Sequence, residues 1–244
     1  MIVFVHGVPE TAAIWNKVRA AIDRESVALA LPGFGTPRPD GFTATKDAYV
    51  DWLLGELDLV EGPIDLVGHD WGAPLTYRVA TAHGDRLHSW VADCGGLAHP
   101  DYEWHDFAKV WQTPGEGEAF IQAQDAQSLE ERASGFELLF AVPHDDALEM
   151  AAGSDLTMGE CILDLYRSAT PNPHHHWGPL APTAAPGLVL HATEDPFSNP
   201  QLASEVADQL GARFAALEGA GHFWPYQTPE AAAVLLESFW AGLP

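Results

Sequence analysis

The sequence predicts an α/β protein built on one mostly parallel sheet, and three observations carry that prediction. Short apolar runs at residues 2–5, 27–31, 64–67 and 87–92 alternate with stretches of helical periodicity. That is the rhythm of strands joined by crossover helices. The first of these runs is continuously apolar, which fits a strand buried on both faces in a parallel sheet. The third observation is the stretch Val67-Gly68-His69-Asp70-Trp71-Gly72-Ala73, placed between an apolar run and a helical one. Glycines two residues either side of Asp70 mark a tight strand-to-helix turn with no room for neighbouring side chains.

The elements follow in order. The first run ends at His6-Gly7 and leads into Val8-Pro9-Glu10-Thr11, then a helical pattern carrying Ile14, Trp15, Val18 and Ile22. The second enters Pro32-Gly33-Phe34-Gly35-Thr36-Pro37, a loop by its glycine and proline content. Residues 45–57 place Tyr49, Val50, Leu53, Leu54 and Leu57 on one helical face. A helix over 73–83 follows the turn, and the 87–92 run ends at Asp93. From about 97 to 183 no strand is expected. Aromatic, proline and histidine residues are dense there, and helices are expected over 117–127, 129–140 and 158–168. The sheet resumes at 187–191, with a helix near 200–210, a strand near 212–217, a glycine-rich loop at 218–224 and a helix over 229–240. The expected organisation is a sheet domain in two parts, 1–96 and 184–244, with a helical lid at 97–183. Ligands of parallel sheets bind beyond the carboxyl ends of the strands. Gly7, Val8, Asp70 and Asp93 lie at such ends.

Composition narrows the partners. A chain of 244 residues, 47% hydrophobic, can build one α/β domain with a full core and an inserted subdomain. A net charge of −24 argues against nucleic acid and anionic membranes. No run approaches the ~18–20 apolar residues of a membrane span. The amino terminus reads as a strand, not a signal peptide, so a cytoplasmic location is expected. Cys94 and Cys161 lack metal-ligand spacing and read as free thiols of a reducing compartment. His174-His175-His176 cannot readily converge on one ion and is expected to be a solvated lid loop. With no phosphate loop and no nicotinamide fingerprint, neither a metal nor a cofactor is expected.

Chemistry concentrates at the turn. Glycines at minus two and plus two match the nucleophile-elbow pattern G-x-S-x-G, with Asp70 where serine would stand. A serine needs a base to remove its proton, whereas a carboxylate is already charged at pH 7. It can attack a saturated carbon and displace a leaving group, giving an alkyl ester on the protein. Water then cleaves the ester, activated by a histidine. Epoxides and alkyl halides carry such a carbon. Among 12 histidines, His222 stands out by its place in a loop past the last strand. Asp195, past the preceding strand, would orient it. Its neighbour Glu194 and Asp93, at another strand end, are the rivals for that role. The N–H groups of Val8 and Trp71 are the candidate oxyanion donors.

His6-Gly7-Val8-Pro9-Glu10, Pro32-Gly33-Phe34-Gly35, Gly68-His69-Asp70-Trp71-Gly72 and Gly221-His222-Phe223 together resemble the α/β-hydrolase-fold epoxide hydrolases and the haloalkane dehalogenases. The resemblance spans nearly the whole chain. It implies an α/β-hydrolase fold whose usual two leading strands are missing, leaving about six strands and an open sheet edge. A homodimer is an expectation drawn from that edge. The resemblance also implies lid tyrosines that protonate the opened epoxide. Leu165-Tyr166-Arg167 is similar to one such motif, so Tyr166 is a candidate acid. At the other, the run 136–143 reads Phe136 in place of tyrosine, and Tyr102 or His105 are the alternatives. Phe136, Phe223 and Trp71 are expected to contact a small apolar substrate.

The resemblance to dehalogenases implies halide donors instead. Trp71 supplies one, but Val8 stands where most of them carry asparagine. Epoxide opening is therefore the first expectation and dehalogenation the second. A receptor that keeps a hydrolase pocket is a third, opposed by the histidine placed for the nucleophile.

Overall fold

Within residues 1–243, which the computed structural model describes, six strands form one sheet. They are β1 (Ile2–Val5), β2 (Ser26–Leu29), β3 (Asp65–Gly68), β4 (Ser89–Ala92), β5 (Gly187–Ala192) and β6 (Arg213–Leu217). The order is β2-β1-β3-β4-β5-β6, and every neighbouring pair is parallel. In the pairing register Val5 lies beside Gly68, and Gly68 beside Ala92. The residues that follow, His6, His69 and Asp93, therefore leave the sheet side by side.

Side-chain alternation builds a core on each face. Val3 and Val5 of β1 join Leu66 and Trp90 on one side, while Ile2 and Phe4 join Val67 and Val91 on the other. Helices α2 (Lys46–Leu57) and α3 (Gly72–His83) cover the first face. Helix α1 (Asn16–Ala21) covers the second, together with the carboxyl-terminal helices described below. The helix expected around Ile14–Ile22 is shorter than its periodicity. The Thr11 side chain accepts from Ala13 N and starts a tight turn over Ala12–Trp15, which buries Trp15 against Phe4 before α1 begins.

Five helices lie between β4 and β5: α4 (Asp106–Gln112), α5 (Glu116–Asp125), α6 (Leu129–Phe140), α7 (His144–Gly153) and α8 (Leu156–Ser168). α6 begins with a Ser128/Glu131 capping box, and α8 buries Met158, Cys161, Ile162, Leu165 and Tyr166 along one face. Polar contacts hold this segment to the sheet domain. Buried Lys46 donates to the carbonyls of Pro173 and His175, and Trp177 Nε1 donates to Asp47 at 2.6 Å. The carbonyl donated to by Lys46 belongs to the His174–His176 run, whose last two residues are exposed. Helices α9 (Pro200–Leu210), α10 (Trp224–Gln227) and α11 (Pro229–Ala241) complete the chain, the last two against the face of α1. No helix among the described residues is long and apolar enough to cross a membrane.

Candidate active site

The turn between β3 and α3 places Asp70 at the carboxyl end of the sheet in the left-handed region, at φ +48°. Aspartate tolerates this conformation better than most side chains. It is held there by its own N–H, which donates to Asp93 Oδ1 at 3.0 Å. The flanking glycines are required by packing. A Cβ on Gly68 would stand 2.2 Å from the Gly72 carbonyl oxygen, and one on Gly72 would stand 2.1 Å from that of Val5.

Three of the predicted residues meet here. Asp70 Oδ2 is 3.6 Å from His222 Nε2, and His222 Nδ1 is 3.0 Å from Asp195 Oδ2. The other Asp195 oxygen accepts from Phe197 N at 2.8 Å, which fixes the carboxylate plane. Burial opposes charge on His222, but Asp195 and then Asp70 outweigh it and hold the imidazole up to about 9. Burial likewise works against the Asp195 carboxylate, yet His222 and the Phe197 N–H keep it below the usual range. Asp70 is raised to about 6, burial outweighing the attraction of His222. At neutral pH the resting state is therefore a carboxylate facing an imidazolium.

Asp70 Oδ1 accepts the N–H of Val8 at 2.7 Å. Trp71 N stands at the start of α3, where the helix ladder offers no acceptor. The Val8 loop is braced from below. His6 Nε2 accepts from Leu31 N at 3.1 Å, so Nδ1 carries the proton shared with the Gly7 carbonyl at 2.8 Å. Full burial pulls His6 down to about 4 and keeps it neutral.

Asp93 does not reach His222. It sits on His69, with Oδ2 2.5 Å from Nδ1, and accepts from Trp224 Nε1 at 2.7 Å. On the far side His69 Nε2 is 3.0 Å from Glu10 Oε1, an ionic approach without hydrogen-bond alignment. Glu10 Oε2 accepts from Gly7 N at 2.9 Å. A buried Glu10–His69–Asp93 bridge thus links the two loops that shape the site. Sequence reasoning missed it, although Glu10 and His69 stand within the motifs His6–Glu10 and Gly68–Gly72, and it offered Asp93 instead as a rival to Asp195 for orienting His222.

Above Asp70 opens a cavity of about 390 Å³ between the sheet domain and α4, α5, α6 and α8. Its inner wall is apolar, with Phe136, Phe140, Ile162, Phe197 and Phe223 beside Asp70, His222 and Tyr166. Phe136 and Phe223 are thus brought to the cavity. Trp71 instead lines a smaller chamber of about 10 Å³ beside Asp70, His222 and Tyr166. Its indole is edge-on to the Tyr166 ring at 5.4 Å, and Nε1 is buried with no hydrogen-bond acceptor. Cys94, at φ +45°, donates weakly to Asp195 Oδ2 at 3.9 Å, and both cysteines are free. Cys94, Asp195 and His222 lie close enough to share an ion, as do Glu10, His69 and His222. In both groups the histidine nitrogens already face carboxylates, contacts that an ion would have to displace.

The alpha/beta hydrolase family model matches residues 2–234. The chain belongs to this family. It is 30% identical over 141 residues to a haloalkane dehalogenase of Sphingobium indicum, covering 53% of this chain and 44% of that protein. It is 32% identical over 117 residues to epoxide hydrolase 3 of Xenopus tropicalis, covering 44% of this chain and 30% of that protein. The matched segments span less than half the length of these relatives. Among solved structures, epoxide hydrolase A from Mycobacterium thermoresistibile superposes with a TM-score of 0.77 at 22% identity, over 100% of this chain and 91% of that one. The haloalkane dehalogenase DatA from Agrobacterium tumefaciens C58 gives 0.79 at 19% identity, over 100% and 89%. At such identities these two likenesses establish the shared alpha/beta hydrolase fold.

Proposed function

We propose that this chain is a cofactor-independent hydrolase that opens epoxides through an alkyl ester on Asp70. One observation carries the reading. A carboxylate stands at the apex of the elbow, 3.6 Å from His222 Nε2, under an apolar cavity that a phenol also lines.

Asp70 Oδ2 attacks a ring carbon, and the carbon–oxygen bond of the ring breaks. Tyr166 gives its proton to the departing oxygen, and the imidazolium of His222 restores the phenol and becomes neutral. The Val8 N–H stays on Oδ1, which becomes the ester carbonyl and then the oxyanion when water attacks. His222, once neutral, takes a proton from that water, and Asp195 stabilises the imidazolium that forms. The tetrahedral intermediate collapses, releasing a diol and restoring the carboxylate. The cavity's aromatic wall favours a small apolar substrate.

Dehalogenation is the second reading. The buried Trp71 N–H without an acceptor favours it, because a halide would satisfy that donor. Val8 offers no side-chain donor to complete the site. In either reading a second copy pairs along the open edge that β2 forms on the amino-terminal side of the sheet; light scattering after size exclusion tests this.

The test is turnover of styrene oxide by Asp70→Ala, with folding checked by circular dichroism. Diol formation should fall by roughly 10³-fold or more. Turnover at the wild-type rate would overturn the reading.

A further inference from the structure

We propose that Gln227 is a positioning residue: its side-chain amide ties the loop carrying His222 to the carboxyl end of the inserted helix α6, and so sets the imidazole against Asp70. This rests on the epoxide reading and deepens it.

The loop is pinned from two sides. Gly219 N donates to Thr193 Oγ1 at 2.9 Å, and the Ala220 carbonyl accepts from Glu194 N at 2.9 Å. Both ties lead to the loop that carries Asp195. The next tie leads elsewhere. Gly221 N, the backbone donor immediately before His222, donates to Gln227 Oε1 at 3.1 Å. The Gln227 side chain lies against Gly221, where a Cβ would stand 3.0 Å from Oε1.

The other end of the same amide reaches the insertion. Gln227 Nε2 donates to the Phe140 carbonyl at 2.7 Å, with the Ala141 carbonyl at 3.5 Å. α6 ends here, where Ala141 enters the left-handed region at φ +53°. The last carbonyls of a helix have no partner within it, so the amide closes an open end of α6. The Phe140 ring lines the cavity and packs on Phe197 and Phe223, at 5.7 and 5.4 Å between ring centres. Phe223 follows His222, and Phe197 N holds the Asp195 carboxylate. The end of α6 is thus joined to the residue before His222 by the amide and meets the residue after it through the Phe140 ring.

An amide suits both jobs, because it presents an acceptor and a donor in one plane. A carboxylate would accept from Gly221 but turn a second acceptor on the Phe140 carbonyl. An alkyl group would make neither bond. What the tie protects is a short distance. His222 Nε2 stands 3.6 Å from Asp70 Oδ2, and a base that works through one water depends on that placement. A displacement of about 1 Å can lower a rate about 100-fold. His222 serves twice in the epoxide reading, returning a proton to Tyr166 and then taking one from water, so its placement bears on both steps.

The experiment compares wild type, Gln227→Glu and Gln227→Leu. Gln227→Glu keeps the acceptor for Gly221 and loses the donor to Phe140, whereas Gln227→Leu loses both. Styrene oxide reports turnover. Nitrogen NMR follows the titration of the His222 imidazole, assigned by its absence in His222→Gln. Asp195, Asp70, His69, His105 and Cys94 surround His222 and are unchanged in both variants, so a shifted midpoint reports a changed placement. In Gln227→Leu kcat for styrene oxide should fall about 10–100-fold with KM within about twofold, and in Gln227→Glu the loss should be smaller. The His222 midpoint should drop by about half a pH unit or more as the imidazolium loses contact with Asp70. A side chain that merely caps α6 would lower the urea midpoint and leave both readouts alone. Wild-type kcat in both variants, or a His222 midpoint that does not drop, would overturn the assignment. If wild type makes no diol yet the midpoint drops, the positioning role stands and the epoxide reading falls.

Discussion

His69 Nδ1 stands 2.5 Å from Asp93 Oδ2, so the acid at the end of β4 serves the histidine before the elbow's apex, not the one facing it. Asp93 also accepts the Asp70 N–H and the Trp224 indole. His69 is fully buried, and its two carboxylate neighbours hold its imidazole well above the ordinary value against the opposing effect of burial. The two strand-end acids therefore have separate tasks. Asp93 braces the turn, and Asp195 faces His222.

Asp93→Ala should consequently be a stability mutant. Removing it leaves His69 Nδ1, the Asp70 N–H and the Trp224 indole without their buried acceptor, with Glu10 alone facing the His69 charge, at a cost of about 3–5 kcal/mol. Urea denaturation should show the midpoint falling accordingly. Asp195→Asn should keep most of the stability and lose about 10²–10⁴-fold in turnover, as expected for a residue that orients a base.

The pH dependence of kcat/KM should be bell-shaped. Asp70 must be ionised to attack, so the rate rises as pH passes about 6. The imidazolium of His222 is lost as pH passes about 9, and the rate falls. The two values belong to the coupled pair. Stability follows the same histidine. Its folded value lies above the unfolded one of about 6.5. Its contribution is thus full below that value and disappears as pH rises through about 9. Urea midpoints at pH 7 and pH 10 should differ less in His222→Gln than in wild type.

An apolar cavity of about 390 Å³ should make specificity depend on chain length. Each methylene buried contributes about 0.8 kcal/mol, so kcat/KM for 1,2-epoxyalkanes should rise about fourfold per carbon until the cavity is full. A flat series would contradict burial of the chain in this cavity.

Much of this arrangement was legible in the sequence. β1 spans Ile2–Val5 and α6 spans Leu129–Phe140, as their patterns predict, because apolar runs and capping residues are local properties. Asp70, Asp195 and His222 were legible from their places after strands, which parallel topology brings to one edge. What depends on distant contacts was not. Helix α4 is started by His105, an unusual cap, and short α7 by Pro143 followed by Asp145 and Asp146, a weak start. The Glu10–His69–Asp93 bridge spans three strand ends, and no local pattern records it.

The most direct measurement is the intact mass of His222→Gln after brief exposure to styrene oxide, followed by peptide mapping. Without the base, ester hydrolysis stalls and the adduct accumulates. The predicted result is a gain equal to the whole epoxide, located on Asp70. A protein that gains nothing from the epoxide but gains an alkyl group without bromine from 1-bromohexane would contradict epoxide opening in favour of dehalogenation. An adduct on any other residue would contradict Asp70 as the nucleophile.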